Sequence, residues 1–421
     1  MKNKKRILMI VNEFPPTGES GVQRPLKFLK YLAAEGWECH VITPARPTKT
    51  VLDASLHKEV PAKAKIYRTR SWGFGGKSVD RVADIRQDAS SWGIKGLLSK
   101  ILIVLNHIVF PLDKQIGWVP FAYFKALHVI RRYKISNVYI TAFPFSVFLI
   151  GILLKRKLKD RIHWVADYRD AWQFEPLLHT KIPAWRLNLI RRMDRSVIES
   201  CDNAVFVTPS ILGQYQEAFK KHQHKMALIT NGYDEADFEG LEAHSFPQPS
   251  MVYMGKIYNI CRPDILPLLN AIKVGGFTQP LIHIGSLSAD AKKAIAAGDY
   301  DFYDYQGYKE HREALSMSLG AELNLLLLND DEATEGVYSG KVFELLRLGR
   351  PILALGPKQC IVKDLILETT AGEYVWLKDE QGIIAAIKRI LENPGAYGTH
   401  PESINRFDRK VLSKQLAELY E

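Results

Sequence analysis

The run Arg6-Ile7-Leu8-Met9-Ile10-Val11, the loop Asn12-Glu13-Phe14-Pro15-Pro16-Thr17-Gly18-Glu19-Ser20-Gly21 and the segment Val22–Ala34 behind it decide how this chain folds. A short apolar run bounded by a Pro/Gly loop reads as a strand. In Val22–Ala34, Leu26, Leu29 and Leu32 with Phe28 recur at three- and four-residue spacing, the stripe of a half-buried helix. Gly36 ends that helix, and Cys39–Thr43 reads as the next strand. The basic start before Arg6 leads into too brief an apolar run for a signal peptide, so it is read as the approach to this first strand.

The same rhythm extends outward. Lys65–Arg70, Val138–Thr141, His163–Asp167, Asn203–Val207 and Met226–Thr230 read as strands, with helical patterns at 119–133, 145–158, 184–200 and 210–220. Beyond residue 240 the short apolar runs are Met251–Met254, Leu281–Ile284, Asp301–Tyr305, Leu323–Leu327, Ile352–Leu355 and Glu373–Trp376. Strands alternating with helices predict parallel pairing through right-handed crossovers. The expected fold is α/β, with two doubly wound Rossmann-like domains facing across a cleft. The Pro/Gly-rich stretch 231–249 marks the boundary, giving domains at 1–240 and 241–400. A last amphipathic helix, about 402–420, follows the Asn393-Pro394-Gly395 break.

The chain has 421 residues, 47% apolar and 24% charged, which suits two globular cores and excludes a disordered or fibrous chain. Its four cysteines form no CxxC pair, which argues against a disulfide scaffold and fits a reducing cytoplasm. No window approaches the ~20 uninterrupted apolar residues of a membrane span. Net charge is +11, unevenly spread: residues 1–240 carry 38 Lys/Arg against 22 Asp/Glu, and residues 241–421 carry 19 against 24. The basic first half suggests an anionic surface as partner, nucleic acid or the phosphates of a membrane leaflet, beside the plainer reading of a solvated basic face. Within 92–118 the stretch Leu97–Phe110, with Lys95, Lys100 and Lys114 and flanking tryptophans, reads either as a helix lying in a lipid interface or as one buried on the first domain.

In doubly wound sheets ligands sit beyond the carboxyl ends of the strands, so the chemistry is sought in the loops there. The first loop, with Gly18, Gly21 and Arg24, is too long for a dinucleotide turn, and no acidic residue ends the second strand, which sets a nicotinamide enzyme aside. The loop Asp167-Tyr168-Arg169-Asp170-Ala171-Trp172 carries two carboxylates and a guanidinium, contacting ligand, clamping the loop, or both. Richest is Tyr338-Ser339-Gly340-Lys341-Val342-Phe343-Glu344 with Gly349-Arg350-Pro351-Ile352. Ser339 and Gly340 stand where a helix begins and offer free N–H groups to a phosphate, Lys341 adds charge, and Glu344 lies one turn on, suited to a ribose diol. A solvated Lys–Glu pair is the plain alternative. Lys256, after the strand Met251–Met254, and Arg262 could join Lys341 in neutralising a diphosphate. No metal-binding constellation, GxSxG, HExxH or P-loop is present.

These segments together resemble the retaining GT-B-fold glycosyltransferases of family 4, of the bacterial surface-polysaccharide type. The resemblance rests on Phe14-Pro15-Pro16 with Gly21, Arg24, Lys27-Phe28, Gly36-Trp37 and Thr43-Pro44, on Asp167–Trp172, and on Thr230-Asn231-Gly232-Tyr233-Asp234. In the second half it rests on Tyr253-Met254-Gly255-Lys256 and on Ser339–Glu344 with Gly349–Ile352. It implies metal-independent transfer, without a cofactor, from a nucleoside-diphosphate sugar to a glycan or polyprenyl-lipid-linked acceptor, in the cytoplasm and peripherally at the inner leaflet, with no nucleic-acid partner. Lys256, Glu344 and Asp170 are then the catalytic candidates. Gly18, Gly21, Arg24, Arg262, Ser339, Gly340, Lys341 and Val342 are the donor-binding candidates, and Asp167 and Arg169 lie on the acceptor side. The helix in 401–421 is implied to cross back to the first domain.

Three departures bear on this. The family's glutamate eight residues before the ribose one is Gly336 here, beside Glu335. The cationic pair is Lys256 and Arg262 rather than Arg and Lys. No histidine occupies the Asp167–Asp170 loop, where many members carry one. A sugar-nucleotide 2-epimerase of the same fold, or a non-catalytic nucleotide-binding or scaffold subunit, are the alternatives.

Overall fold

The computed structural model describes residues 5–18, 20–46, 52–53, 55–72, 111–175, 182–258 and 263–421. Arg262 and the 97–110 stretch lie outside the described residues, so neither expectation meets the structure. The chain divides into two compact units, Met1–Thr230 with Ser413–Glu421, and Asn231–Leu412.

The first unit is built on seven parallel strands: β1 Arg6–Ile10, β2 Glu38–Pro44, β3 Lys65–Thr69, β4 Asn137–Ala142, β5 His163–Tyr168, β6 Asn203–Phe206 and β7 Met226–Leu228. They lie in the order β3-β2-β1-β4-β5-β6-β7. Strand β1 is an interior strand, and Ile7, Leu8, Met9 and Ile10 are wholly buried, as helices on both faces of a parallel sheet require. Helix α1 (Gln23–Ala34) buries Leu26, Leu29 and Leu32 as its spacing predicts. Helix α2 (Val119–Tyr133) and helix α3 (Phe148–Leu158) cover the sheet further along.

The second unit repeats the plan with six parallel strands: β8 Met251–Met254, β9 Leu281–Ile284, β10 Tyr303–Gly307, β11 Leu323–Leu327, β12 Ile352–Gly356 and β13 Gly372–Trp376, ordered β10-β9-β8-β11-β12-β13. In both sheets the order in which strands are added reverses beside the first strand, between β1 and β4 and between β8 and β11. That is the topological switch point where such sheets hold ligands. The fold is thus two Rossmann-like units of GT-B type.

Three local readings needed correcting. The first unit ends at Thr230 rather than at 240, because residues 233–240 are tied to the second. Arg312 donates to the carbonyls of Asp237, Glu239 and Gly240, and Arg347 pairs with Glu235. Strand β10 starts at Tyr303 rather than Asp301, since the Tyr303 N–H closes a turn onto Tyr300 O at 3.1 Å. The final helix is shorter than 402–420. The chain around Phe407 and Asp408 bonds to Tyr233 instead, with Tyr233 N–H donating to Phe407 O at 3.1 Å and Arg409 N–H to Tyr233 O at 2.9 Å. A helix resumes only at Arg409–Glu418. Ser413–Glu421 belongs to the first unit, where the Tyr420 hydroxyl donates to Val138 O at 3.1 Å.

Candidate functional site

In the second unit the switch point is lined from two elements. Strand β8 delivers Gly255 and Lys256 just past its carboxyl end. From β11 the chain runs through residues 328–339 into helix α4, Gly340–Leu348, which Gly349 terminates in the left-handed conformation that glycine tolerates. Ser339 is the N-cap residue, yet its hydroxyl makes no capping bond. The first intrahelical bond runs from Val342 N–H to Ser339 O at 3.1 Å, so the N–H groups of Gly340 and Lys341 precede the helical ladder. Nothing lies within 4 Å of where a Cβ on Gly340 would stand, and the helix start faces open space. Val342 and Phe343 are wholly buried, so Val342 can offer a ligand only its backbone.

Lys341 and Lys256 come together here. The Lys341 Nζ lies over the Tyr253 ring, 5.8 Å from its centroid, and 2.6 Å from where a Gly255 Cβ would be. Gly255 is glycine because that space holds the lysine head and the Tyr253 hydroxyl. Burial pushes the Lys341 pKa down from its ordinary value to about 8; the Glu344 charge opposes the shift, and the Lys256 charge adds to it. A buried ammonium at a helix N-terminus, with a second cation within electrostatic reach, makes a site short of negative charge. Glu344, half-buried one turn on, is held by a residue the sequence reading missed: His311 Nε2 lies 3.0 Å from Glu344 Oε1. Asp330, the nearest thing to an acidic metal loop, is paired with Lys378 at 2.7 Å. Among the described residues no group of three His, Cys, Asp or Glu is placed to hold a metal ion.

The first unit treats its candidates differently. Arg24 and Asp167 are both buried and bound to each other: Nη2 to Oδ1 at 2.7 Å and Nε to Oδ2 at 3.0 Å. Arg24 also donates to Thr230 O at 2.6 Å and Ile229 O at 2.8 Å. Asp167 accepts further from the Tyr139 hydroxyl at 2.6 Å and the Thr141 hydroxyl at 2.8 Å. Burial alone would raise the Asp167 pKa, but the Arg24 charge and these hydrogen bonds outweigh it and hold the carboxyl below its ordinary value. These bonds form the loop clamp that the sequence allowed for. Arg24, expected in the donor-binding set, and Asp167, expected on the acceptor side, are thus both buried with their polar groups engaged inside the protein.

Arg169 is a second brace. It donates to Ala142 O at 2.7 Å, Phe143 O at 2.7 Å and Gly21 O at 2.6 Å, and it faces Glu13. A Cβ at Gly21 would overlap both Glu13 Oε2 and Arg169 Nη1, so this glycine makes room for an internal ion pair. Gly18 is half-buried in the same loop, next to the Thr17–Leu52 bridge. Asp170 alone of this cluster is exposed. The surrounding protein raises its carboxyl pKa, with the Arg169 charge opposing and the Glu13 charge adding. The Asp167–Asp170 loop is legible in the sequence, but the part played by Tyr139 and Thr141 on β4 and by Glu13 in the loop after β1 is not, because they join it only through the sheet.

Solved structures share this architecture over the whole chain. A sucrose-phosphate synthase from Thermosynechococcus elongatus superposes with a TM-score of 0.64 at 15% identity, covering 99% of this chain and 98% of that one. A glycosyltransferase from Rickettsia africae gives 0.66 at 13%, with the same coverage. Anabaena HepE in complex with UDP-glucose gives 0.61 at 12%, covering 99% of each chain. At these identities the likeness is one of fold. No curated protein matches the sequence. The model of Glycosyltransferase Family 4 matches residues 25–237, half of the chain. With its two Rossmann-like units of GT-B type, this chain belongs to glycosyltransferase family 4.

Proposed function

We propose that the chain moves a sugar from a nucleoside-diphosphate sugar to a glycan or lipid-linked acceptor, with retention of anomeric configuration, in cell-surface polysaccharide synthesis. The observation that carries this reading is the meeting of Lys256, Lys341 and Glu344 at the switch point of the second unit, beside the open start of α4. A diphosphate relieves the repulsion between the two lysines and takes hydrogen bonds from the Gly340 and Lys341 N–H groups. Glu344, held by His311, accepts from the ribose hydroxyls. Relatives of the fold have been solved with UDP and with UDP-glucose, which makes uridine nucleotides the first donors to try.

The chemistry asked of the protein is then electrostatic. The bond from the anomeric carbon to the diphosphate oxygen breaks, and the acceptor oxygen bonds to that carbon on the same face. The departing phosphate oxygen takes the acceptor hydroxyl's proton. Lys256, Lys341 and the helix start stabilise charge that grows on the leaving group. Removing one such contact costs about 2–4 kcal/mol of transition-state stabilisation, on the order of 10²–10³ in rate.

The test is acceptor-dependent release of nucleoside diphosphate from a panel of nucleotide sugars, with product anomer assigned by proton NMR. Lys256→Ala and Glu344→Ala are expected to lose activity by that factor while unfolding at the wild-type temperature. Full activity in both would overturn the assignment. Turnover without acceptor would favour an epimerase.

A further inference from the structure

Beneath Lys256 lies a histidine to which nothing above gives a role. His283, on β9, is wholly buried in the otherwise apolar run Leu281–Ile284. Its Nε2 is 2.9 Å from Gly255 O and its Nδ1 is 2.5 Å from the Tyr303 hydroxyl. A carbonyl oxygen can only accept, so Nε2 carries the proton and Nδ1 accepts from Tyr303. Burial, with the Lys341 charge adding to it, holds the ring's pKa down at about 4, so the imidazole is neutral at physiological pH. The Tyr253 ring packs 5.1 Å from it, and the Tyr253 hydroxyl reaches Lys256 O at 3.5 Å.

The bonded carbonyl belongs to the peptide that joins Gly255 to Lys256. In a trans peptide the C=O and the following N–H point in opposite directions. Anchoring Gly255 O inward on His283 therefore turns the Lys256 N–H outward, on the side away from the imidazole. The neighbouring peptides are pinned as well: Gly255 N–H donates to Ile284 O at 2.8 Å and Ile257 N–H to Ser286 O at 2.9 Å. Gly285, at φ +141°, has no room for a Cβ because the Gly255 carbonyl occupies that space.

We propose that His283, set in its tautomer by Tyr303, is a positioning residue for the donor diphosphate: it fixes the peptide on which Lys256 stands, so that the backbone N–H and the ammonium of Lys256 meet the phosphates together. This rests on reading the second unit as the donor-binding unit. It predicts that loss of the bond is felt by ligands with two phosphates and hardly by those with one. A merely structural histidine would weaken both alike or only lower stability.

The experiment is calorimetric titration of UDP and UMP into the full chain as wild type, His283→Leu, His283→Gln and Tyr303→Phe. Gln can place an amide N–H near the Nε2 position. We expect His283→Leu to bind UDP about tenfold more weakly, the worth of one hydrogen bond to an aligned group, with UMP changed less than twofold. His283→Gln should recover most of the loss, and Tyr303→Phe should fall between. If His283→Leu does not fold, the Gln and Phe variants carry the comparison. Equal weakening of UDP and UMP, or wild-type UDP affinity in all three variants, overturns the inference while leaving the donor site standing. If wild type binds none of UDP, ADP, GDP, CDP and dTDP, the donor reading itself fails and the inference goes with it.

Discussion

Lys341 gives the sharpest handle on the donor site, because its ammonium is held where it is poorly accommodated. The drop from 10.5 to about 8 corresponds to about 3 kcal/mol of differential free energy between its two protonation states. Burial is the main cause, and the Lys256 charge adds to it against the help of Glu344. A bound diphosphate reverses this balance and raises the pKa. The sign follows from proton linkage. Below about pH 8 the free protein already carries the proton, so binding takes up none. Above it, binding must take one up, and donor affinity falls as pH rises. Between pH 7 and 9 the expected weakening is about tenfold for a nucleotide sugar, whose pyrophosphate does not titrate there. Calorimetry across that range measures it. Lys341→Arg keeps the charge at all these pH values and should bind with a nearly flat profile. Wild-type affinity that stays constant from pH 7 to 9, or an equal fall in Lys341→Arg, would mean that Lys341 takes up no proton on binding.

Other consequences follow from the internal ion pairs. Arg24→Ala or Asp167→Asn leaves a charge or several donors stranded in a buried site, and should cost about 3–5 kcal/mol of stability in the first unit, read as a lowered melting temperature. Unchanged melting in both would mean that the clamp holds nothing. Asp194 is wholly buried between the Tyr168 and Tyr215 hydroxyls, at 2.8 and 2.6 Å, and burial raises its pKa from 3.8 to about 6 despite those bonds. The folded state therefore keeps a proton that the unfolded chain gives up. Its stabilising contribution is full below the ordinary carboxylate value and is lost as pH rises through about 6. Relative to Asp194→Asn, wild type should melt higher at acid pH than at neutral pH, and an offset independent of pH would contradict this. The activity losses expected for Lys256→Ala and Glu344→Ala, with folding intact, complete the set.

Much of this was legible before any coordinates. Apolar runs such as Arg6–Val11 and Ile352–Leu355 announce buried parallel strands because both faces of such a strand are covered. The Ser339–Glu344 segment could be read as a phosphate-accepting helix start because backbone geometry at a helix N-terminus does not depend on what packs behind it. What failed to show was anything that depends on which strands are neighbours. Arg24, at the start of the first helix, and Asp167, at the end of a strand, are far apart in a linear reading, and only the β1-β4-β5 order brings them together with Tyr139 and Thr141. His283 reads as an oddity in an apolar strand until β8 lies beside β9 and supplies the Gly255 carbonyl. His311 is silent for the same reason, being placed against Glu344 by the packing of two helices. The break at Phe407–Asp408 was hidden because the helical pattern runs through it, and the competing bonds come from Tyr233, far back in the chain.

The donor site is tested most directly by a crystal structure of the chain with the nucleotide sugar it binds best. Phosphate oxygens are expected within about 3 Å of both the Lys256 and Lys341 ammonium groups, and ribose hydroxyls on the Glu344 carboxylate. A nucleotide seated elsewhere, with those three side chains untouched, would contradict this assignment.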